Sequence, residues 1–450
     1  MTRKLFFLGL DSLPPRSLYG DLSSAFSYIK GLAGDGAQYV MRSCRPPITI
    51  PAWLVMFTGK TPGELGIYGF RHKAKGGYSG YIVNGRNVKE ETIWDLLGKK
   101  DIHVGMYGIP PTYPPRPVKG FLVSDFTTPN ASKVYTFPPW LKGELERTTG
   151  TTVFDIVYRS EDKECVARDV MSMLDNHLKQ VEHLALTKKW DVFLYVEISV
   201  DRAHHAFWRF FDPQHPKYDE HSIYSNVIPA VYKRIDEWFE NLHHKLPKDT
   251  VVVIASDHGV KAMKGAFAIN QWLVEQGYLK LKVDSHSLKP GTEPEENLID
   301  WEHTTAWAWG GYYSRIFVNM KGREPKGTVE QEHYAEVIES IREELKSLRS
   351  PEEEPWQTIV EKPEEVYPRI EGDPPDLMVY LDDLNWRAAG TLGWSSSYLE
   401  KNDRGPDDAV HDWYGVFAIY DPEETVTAKG NSIIEAYEVH QLLKEVILGK

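Results

Sequence analysis

The sequence predicts an α/β fold, a mostly parallel central sheet flanked by helices, and three apolar runs carry that prediction. Residues 251–255 (VVVIA) form a β-branched run that suits a strand buried on both faces. Residues 4–10 (KLFFLGL) and 191–200 (DVFLYVEISV) read as two more such strands. Each run stops at potential metal ligands: the first delivers Asp11, the second Asp201 with His205 four residues on, and the third Asp257 and His258 ahead of Gly259. Open parallel sheets collect their ligands at the carboxyl ends of strands. Carboxylate together with imidazole is the donor set expected for Zn or Mn rather than Ca. One Asp-His-Gly is also an ordinary strand-to-turn junction; three strand ends of the same chemical kind point to a site.

The remaining elements follow in order. Residues 45–59 (RPPITIPAWLVMFTG) predict a helix with Pro51 in its first turn and Gly59 as its stop. Thr49 then sits just ahead of that helix, where backbone N–H groups and the dipole favour negative charge. Its hydroxyl is the nucleophile candidate, and it needs a metal or a base to lower its pKa. The same position also suits an N-cap threonine with no chemistry. Residues 92–98 read as a short helix feeding a strand at 103–107, and 110–117 (PPTYPPRP) as a stiff extended loop. Helical periodicity runs through 163–186 and through 227–242, where Val231, Ile235, Trp238 and Phe239 share a face. Residues 283–300 and 349–375, rich in Pro, Glu and Asp, read as surface loops. Between them lie a strand at 312–319 and a polar helix at 331–348 with many Glu/Lys pairs. Residues 416–420 are expected to form the last core strand, with His411 before it in a loop.

In this order, Asp11, the stretch ITIPAW…TG around Thr49, Asp201-x-x-x-His205, Asp257-His258-Gly259 and a late histidine resemble the alkaline phosphatase superfamily. More closely they resemble its type I phosphodiesterase / nucleotide pyrophosphatase branch, including a group of archaeal-type phosphodiesterases and phosphomutases that the stretch at 268–279 (AINQWLVEQGYL) fits. The resemblance implies an alkaline-phosphatase-like central sheet and two divalent ions, Zn first and Mn as the other candidate. It implies that Asp11, Thr49, Asp257 and His258 surround one ion, and Asp201, His205 and His411 the other. His204 is an alternative ligand that spacing leaves open; the Asp-x-x-x-His pattern favours His205. Thr49 would attack phosphorus and form a phospho-threonine. One departure stands out: where the nucleotide pyrophosphatase branch has a phosphate-holding Asn, this chain has Ala52, with Trp53 behind it. Phosphate contact is therefore expected from Arg202 or from the backbone N–H groups at the helix start, and Trp53 is a further substrate-binding candidate. The sulfatase branch fits less well, because Cys44-Arg45-Pro46-Pro47 is followed by Ile48 where its motif needs Arg.

Composition agrees with an enzyme of this kind. A chain of 450 residues with 41% hydrophobic and 26% charged residues can bury a large core. The net charge of −13 argues against a nucleic-acid polymer as partner, whereas a small phosphate ester stays compatible because bound metals set the local field. Two cysteines without a Cys-x-x-Cys pair, no signal-peptide pattern and no run near 20 apolar residues lead to the expectation of a cytoplasmic protein without a membrane partner. The expected organisation is one catalytic domain over 1–450 with insertions near 62–90 and 283–400. In the first, Arg71 and His72 are candidates to meet an anionic substrate; in the second, residues 376–394 are a candidate lip of the cleft. Trp307, Trp309, Tyr312 and Tyr313 read as packing residues. The predicted activity is phosphodiesterase or pyrophosphatase hydrolysis, with phosphomonoesterase or phosphomutase action as the alternative and a non-catalytic metal-stabilised binding protein behind both.

Overall fold

The computed structural model describes residues 3–423 and 432–449, and the chain divides into two compact units. The first unit comprises residues 1–65, 83–261 and 411–450, and the second residues 66–82 and 262–410.

The first unit is built on a mixed sheet of nine described strands: β1 (Leu5–Leu10), β2 (Ala37–Arg42), β3 (Val104–Tyr107), β4 (Gly120–Val123), β5 (Thr136–Phe137), β6 (Val192–Glu197), β7 (Val251–Ala255), β8 (Tyr414–Tyr420) and β9 (Ser432–Glu435), in the spatial order β9-β2-β8-β7-β1-β6-β3-β4-β5. Most neighbours are parallel: β7, β1, β6, β3 and β4 run the same way. β8 runs against both β7 and β2. Every side chain of β1, β6 and β7 is buried, which explains why those runs are apolar without alternation.

Register sets the strand ends side by side. Leu10 lies opposite Glu197, and Gly9 lies opposite both Val196 and Ala255, so the carboxyl ends of β1, β6 and β7 share one edge. Because β8 is antiparallel, its start lies at that same edge, and so does the end of β2, with Tyr414 opposite Arg42. This arrangement brings the segment after β2 and the segment before β8 to one place, although more than 350 residues of sequence part them. Phe6 on β1 stacks on Phe193 of β6 with ring centroids 5.1 Å apart, filling one face. Gly9 opens the other: a Cβ there would sit 2.7 Å from Trp53, so only glycine lets that indole lie against β1.

Two of the sequence expectations shift by a few residues. The run at 191–200 reads as one strand, but β6 stops at Glu197, and helix Ser199–Phe207 carries Asp201 and His205. Ile198 and Val200 extend the β-branched pattern, yet the Glu197 carboxylate accepts the Ser199 N–H at 2.7 Å where the chain turns into that helix. The helix Thr49–Thr58 begins at Thr49 itself rather than after it, and it ends at Gly59 with φ +68°. The long helices Lys163–Thr187 and Val227–His243 are close to their expected limits.

The second unit holds a four-stranded sheet of Ala306–Trp309, Ser314–Val318, Leu377–Tyr380 and Ile359–Glu361, a three-stranded sheet around Gly265–Ala268, and the hairpin Arg71–Lys73/Gly80–Ile82. Trp307 lies directly opposite Phe317 and stacks on it at 5.3 Å, and Tyr78 stacks on Trp301 at 3.5 Å. The stretches read as loops are partly regular: 349–375 contains the strand Ile359–Glu361 and the short helix Pro363–Val366. No described helix is long and apolar enough to cross a membrane.

Candidate metal centre

Seven residues expected at the site, Asp11, Thr49, Asp201, His205, Asp257, His258 and His411, all belong to the first unit, and all are at most 3% exposed. Two sets of ligand atoms each lie within 4.8 Å of one another: Asp11, Asp257 and His258, and Asp201, His258 and His411. His258 is common to both. Thr49 Oγ1 is 3.4 Å from His258 Nε2, and His205 Nε2 is 3.2 Å from Asp201 Oδ1.

The three carboxylates are held in one way. Asp11 Oδ2 accepts the Trp53 indole N–H at 2.8 Å, Asp257 Oδ1 accepts the Ser12 N–H at 3.1 Å, and Asp201 Oδ2 accepts an Arg202 Nη1–H at 2.6 Å. In each, the second oxygen (Asp11 Oδ1, Asp257 Oδ2, Asp201 Oδ1) is buried and accepts no hydrogen bond from any described residue. A buried carboxylate oxygen left bare costs several kcal/mol unless a cation meets it. Burial, followed by the Asp201 charge, pushes the Asp11 carboxyl well above its usual range, and burial and the Asp11 charge do the same to Asp257. Asp201 behaves oppositely: against burial, the neighbouring His205 and Arg202 hold it well below.

The imidazoles are set to complement these oxygens. His258 donates its Nδ1–H to the Gly259 carbonyl at 2.9 Å, which fixes the tautomer and aims Nε2 at Asp257 Oδ2, 3.2 Å away, and at Asp11 Oδ1, 3.7 Å away. His411 donates its Nδ1–H to the Pro47 carbonyl at 2.7 Å and turns Nε2 toward Asp201 Oδ1, 4.0 Å away. The two rings stack with centroids 3.8 Å apart. Burial holds His258 at about 4, and burial and the His258 charge hold His411 well below its usual value, so both offer a neutral lone pair. Bare carboxylate oxygens facing neutral, carbonyl-oriented imidazoles form a donor set that fits divalent cations.

The helix that begins at Thr49 offers few donors. Pro51 has no N–H, and the Ala52 N–H is bonded to the Ile48 carbonyl at 2.9 Å. The N–H groups of Thr49 and Ile50 complete the first turn.

Residues expected to meet substrate take other parts. Trp53 is fully buried and orients Asp11. Arg202 grips Asp155 with two parallel bonds, at 2.7 and 2.9 Å, besides its bond to Asp201. His72 is buried in the second unit, where its Nε2 accepts the Tyr68 N–H at 3.0 Å; burial and the Arg315 charge lower its pKa to about 4, so it brings no positive charge. Arg71 is exposed on the same hairpin. His204 belongs to neither ligand set and bonds to Ser12 and Tyr232.

Sequence reading passed over Ser12, Asp155, His177 and Glu197. Glu197 is wholly buried and accepts from Tyr195 Oη, from His177 Nδ1 at 3.1 Å and from the Ser199 N–H. A glutamate inside the apolar run VFLYVE was the available signal; nothing local marks the other three.

The mostly parallel sheet with carboxylate–imidazole clusters at its carboxyl edge has the arrangement of the alkaline phosphatase superfamily. Within it, the type I phosphodiesterase / nucleotide pyrophosphatase family is matched over residues 5–407, and the chain belongs to that family. Solved structures with this fold include human ectonucleotide pyrophosphatase / phosphodiesterase 5, at 12% identity, covering 99% of this chain and 95% of that one with a TM-score of 0.55. Phosphonoacetate hydrolase from Sinorhizobium meliloti 1021, in complex with phosphonoacetate, matches at 14% identity, covering 98% and 94% with a TM-score of 0.60. No curated protein sequence matches the chain.

Proposed function

We propose that the chain hydrolyses small phosphate esters, diesters or pyrophosphates first, with Thr49 as nucleophile and two divalent ions, Zn before Mn. The observation that carries this reading is the trio of buried carboxylate oxygens without hydrogen bonds beside Thr49 and the neutral histidines. Asp11, Asp257 and His258 would hold one ion next to Thr49, and Asp201, His205 and His411 the other. Bound there, the ions supply Lewis-acid stabilisation of phosphoryl oxygens and lower the pKa of a coordinated hydroxyl or water. Thr49 Oγ1, its proton lost to solvent, would attack phosphorus while the P–O bond to the leaving alkoxide or phosphate breaks and that oxygen takes up a proton, and water would later hydrolyse the phospho-threonine. The N–H groups of Thr49 and Ile50, at the positive end of a helix, would favour developing negative charge. They take over part of the task an Asn at position 52 would perform.

The test is paired initial rates on bis-p-nitrophenyl phosphate and p-nitrophenyl phosphate, with metal-stripped protein reconstituted with Zn or Mn. A metal-dependent rate, larger on the diester, is expected, together with two ions per chain by elemental analysis. Thr49→Ala should lower the rate by roughly 1,000-fold or more while still holding both ions. A larger rate on the monoester would replace the reading with phosphomonoesterase or phosphomutase action. Wild-type turnover in Thr49→Ala would move the nucleophile to water.

A further inference from the structure

Ser12 follows the ligand Asp11 directly and takes φ +63°, a left-handed conformation that a residue with a Cβ adopts at a cost of about 1–2 kcal/mol. The turn it makes aims its N–H at Asp257 Oδ1, 3.1 Å away, so this one residue joins two carboxylates of the same ligand set. What holds it there comes from the other side of the centre. Ser12 Oγ lies 2.7 Å from Nδ1 of His204, and His204 Nε2 bonds to the Tyr232 hydroxyl, which in turn donates to Ser17 Oγ at 3.1 Å. The proton directions are consistent along the whole chain. Tyr232 uses its only hydrogen on Ser17, so it accepts from His204 Nε2–H; Nδ1 is then an acceptor, and Ser12 must donate. All four residues are buried, and Tyr232 is packed against Phe26 with ring centroids 4.7 Å apart. His204 also sits on the helix that carries Asp201 and His205, ligands assigned to the second ion.

We propose that His204 is a positioning residue for the ion held by Asp11, Asp257 and His258: it locks the left-handed turn at Ser12 and so sets Asp257. This inference rests on the two-ion reading above. The side chain is next in sequence to the second ion's ligand His205, yet the first ion feels it, because its hydrogen bond crosses to Ser12. A purely structural role would weaken both ions through the shared helix; this role weakens one.

The experiment is calorimetric titration of metal-stripped full-length protein with Mn, for wild type and for His204→Phe and His204→Asn, alone and in an Asp257→Asn background. Wild type should take up two ions. His204→Phe keeps the volume and removes the acceptor, and it should weaken one ion by about 10–100-fold and change the other by no more than about twofold. His204→Asn places an amide oxygen where Nδ1 stood and should restore most of the loss. In the Asp257→Asn background, His204→Phe should cause no further loss for the remaining ion. Should His204→Phe fail to fold, Ser12→Ala, which deletes only the hydroxyl, carries the same expectation. Equal weakening of both ions, or unchanged binding of both, would overturn the proposal while leaving the two-ion reading in place. A wild-type protein that binds no ions would overturn both.

Discussion

Asp257→Asn separates the demands of the fold from those of the metal. Ligand oxygens of Asp11 and Asp257 lie within 4.8 Å of each other, where two full negative charges repel by roughly 3 kcal/mol at an effective dielectric near 20. Burial and a neighbouring carboxylate, Asp201 for Asp11 and Asp11 for Asp257, raise both carboxyl pKa values in the metal-free protein. A carboxyl whose folded pKa exceeds its unfolded value of about 4 removes stability as pH climbs from there through the raised value. Asparagine deletes that charge. Its amide oxygen still accepts from Ser12, and its NH2 replaces the oxygen that stands 3.2 Å from His258 Nε2, where it can donate. In chelator, the variant should therefore be more stable than wild type above pH 6, by roughly 1–3 kcal/mol, with a flatter pH profile. In metal at 1,000 times its dissociation constant the order should reverse, because each ion bound only to the folded state adds about 4.1 kcal/mol and the variant lacks one. Urea unfolding followed by tryptophan fluorescence, from pH 5 to 8 with and without metal, measures both. Equal destabilisation of the variant in chelator and in metal would refute the reasoning, since Asp257 would then be a structural acceptor and not a ligand.

Two more outcomes follow from buried charge. Against burial, the His177 charge and hydrogen bond hold Glu197 below its usual pKa, and the Glu197 charge raises His177, so the two form a buried ion pair. Glu197→Ala should cost about 3–5 kcal/mol in urea unfolding, with or without metal; a loss under about 1 kcal/mol would show that the pair does not hold the start of the Ser199–Phe207 helix. Metal loading above the ordinary carboxyl range of about 4 should release protons, because Asp11 and Asp257 carry raised pKa values while His258, near 4, is already neutral. Apparent affinity then rises with pH, and titrations in buffers of different ionisation enthalpy give the proton count; a count of zero would contradict the raised carboxyls.

What the sequence made legible was the part written locally. Three apolar runs ending in Asp or Asp-His became β1, β6 and β7, adjacent at one sheet edge, because a strand buried on both faces must be apolar throughout. What stayed hidden depends on partners remote in the chain. Asp201 was placed at a strand end because Ile198 and Val200 prolong the β pattern; the deciding interaction is a hydrogen bond from Ser199 N–H to Glu197, which hydrophobic patterning does not register. Arg202 looked like a free cation beside a ligand, but Asp155, 47 residues earlier, engages it. Trp53 was a candidate to meet substrate, yet Gly9 gives it room to reach Asp11.

The three carboxylates explain one another. A freely rotating carboxylate in the core would turn either oxygen to any nearby donor and leave a cation with a moving partner. Here the indole of Trp53, the N–H of Ser12 and the guanidinium of Arg202 each engage one oxygen and fix the direction of the other. The donors differ in kind and come from a helix, a strained turn and a neighbour in sequence, so no single motif encodes the pattern. Their shared consequence is three bare oxygens in a buried space, a conflict with ordinary core rules that strands β1, β6 and β7, fully buried, are stable enough to sustain. Such a conflict is expected where charge is held ready for a cation, and the reversal in metal foreseen for Asp257→Asn measures how much of it the ion relieves.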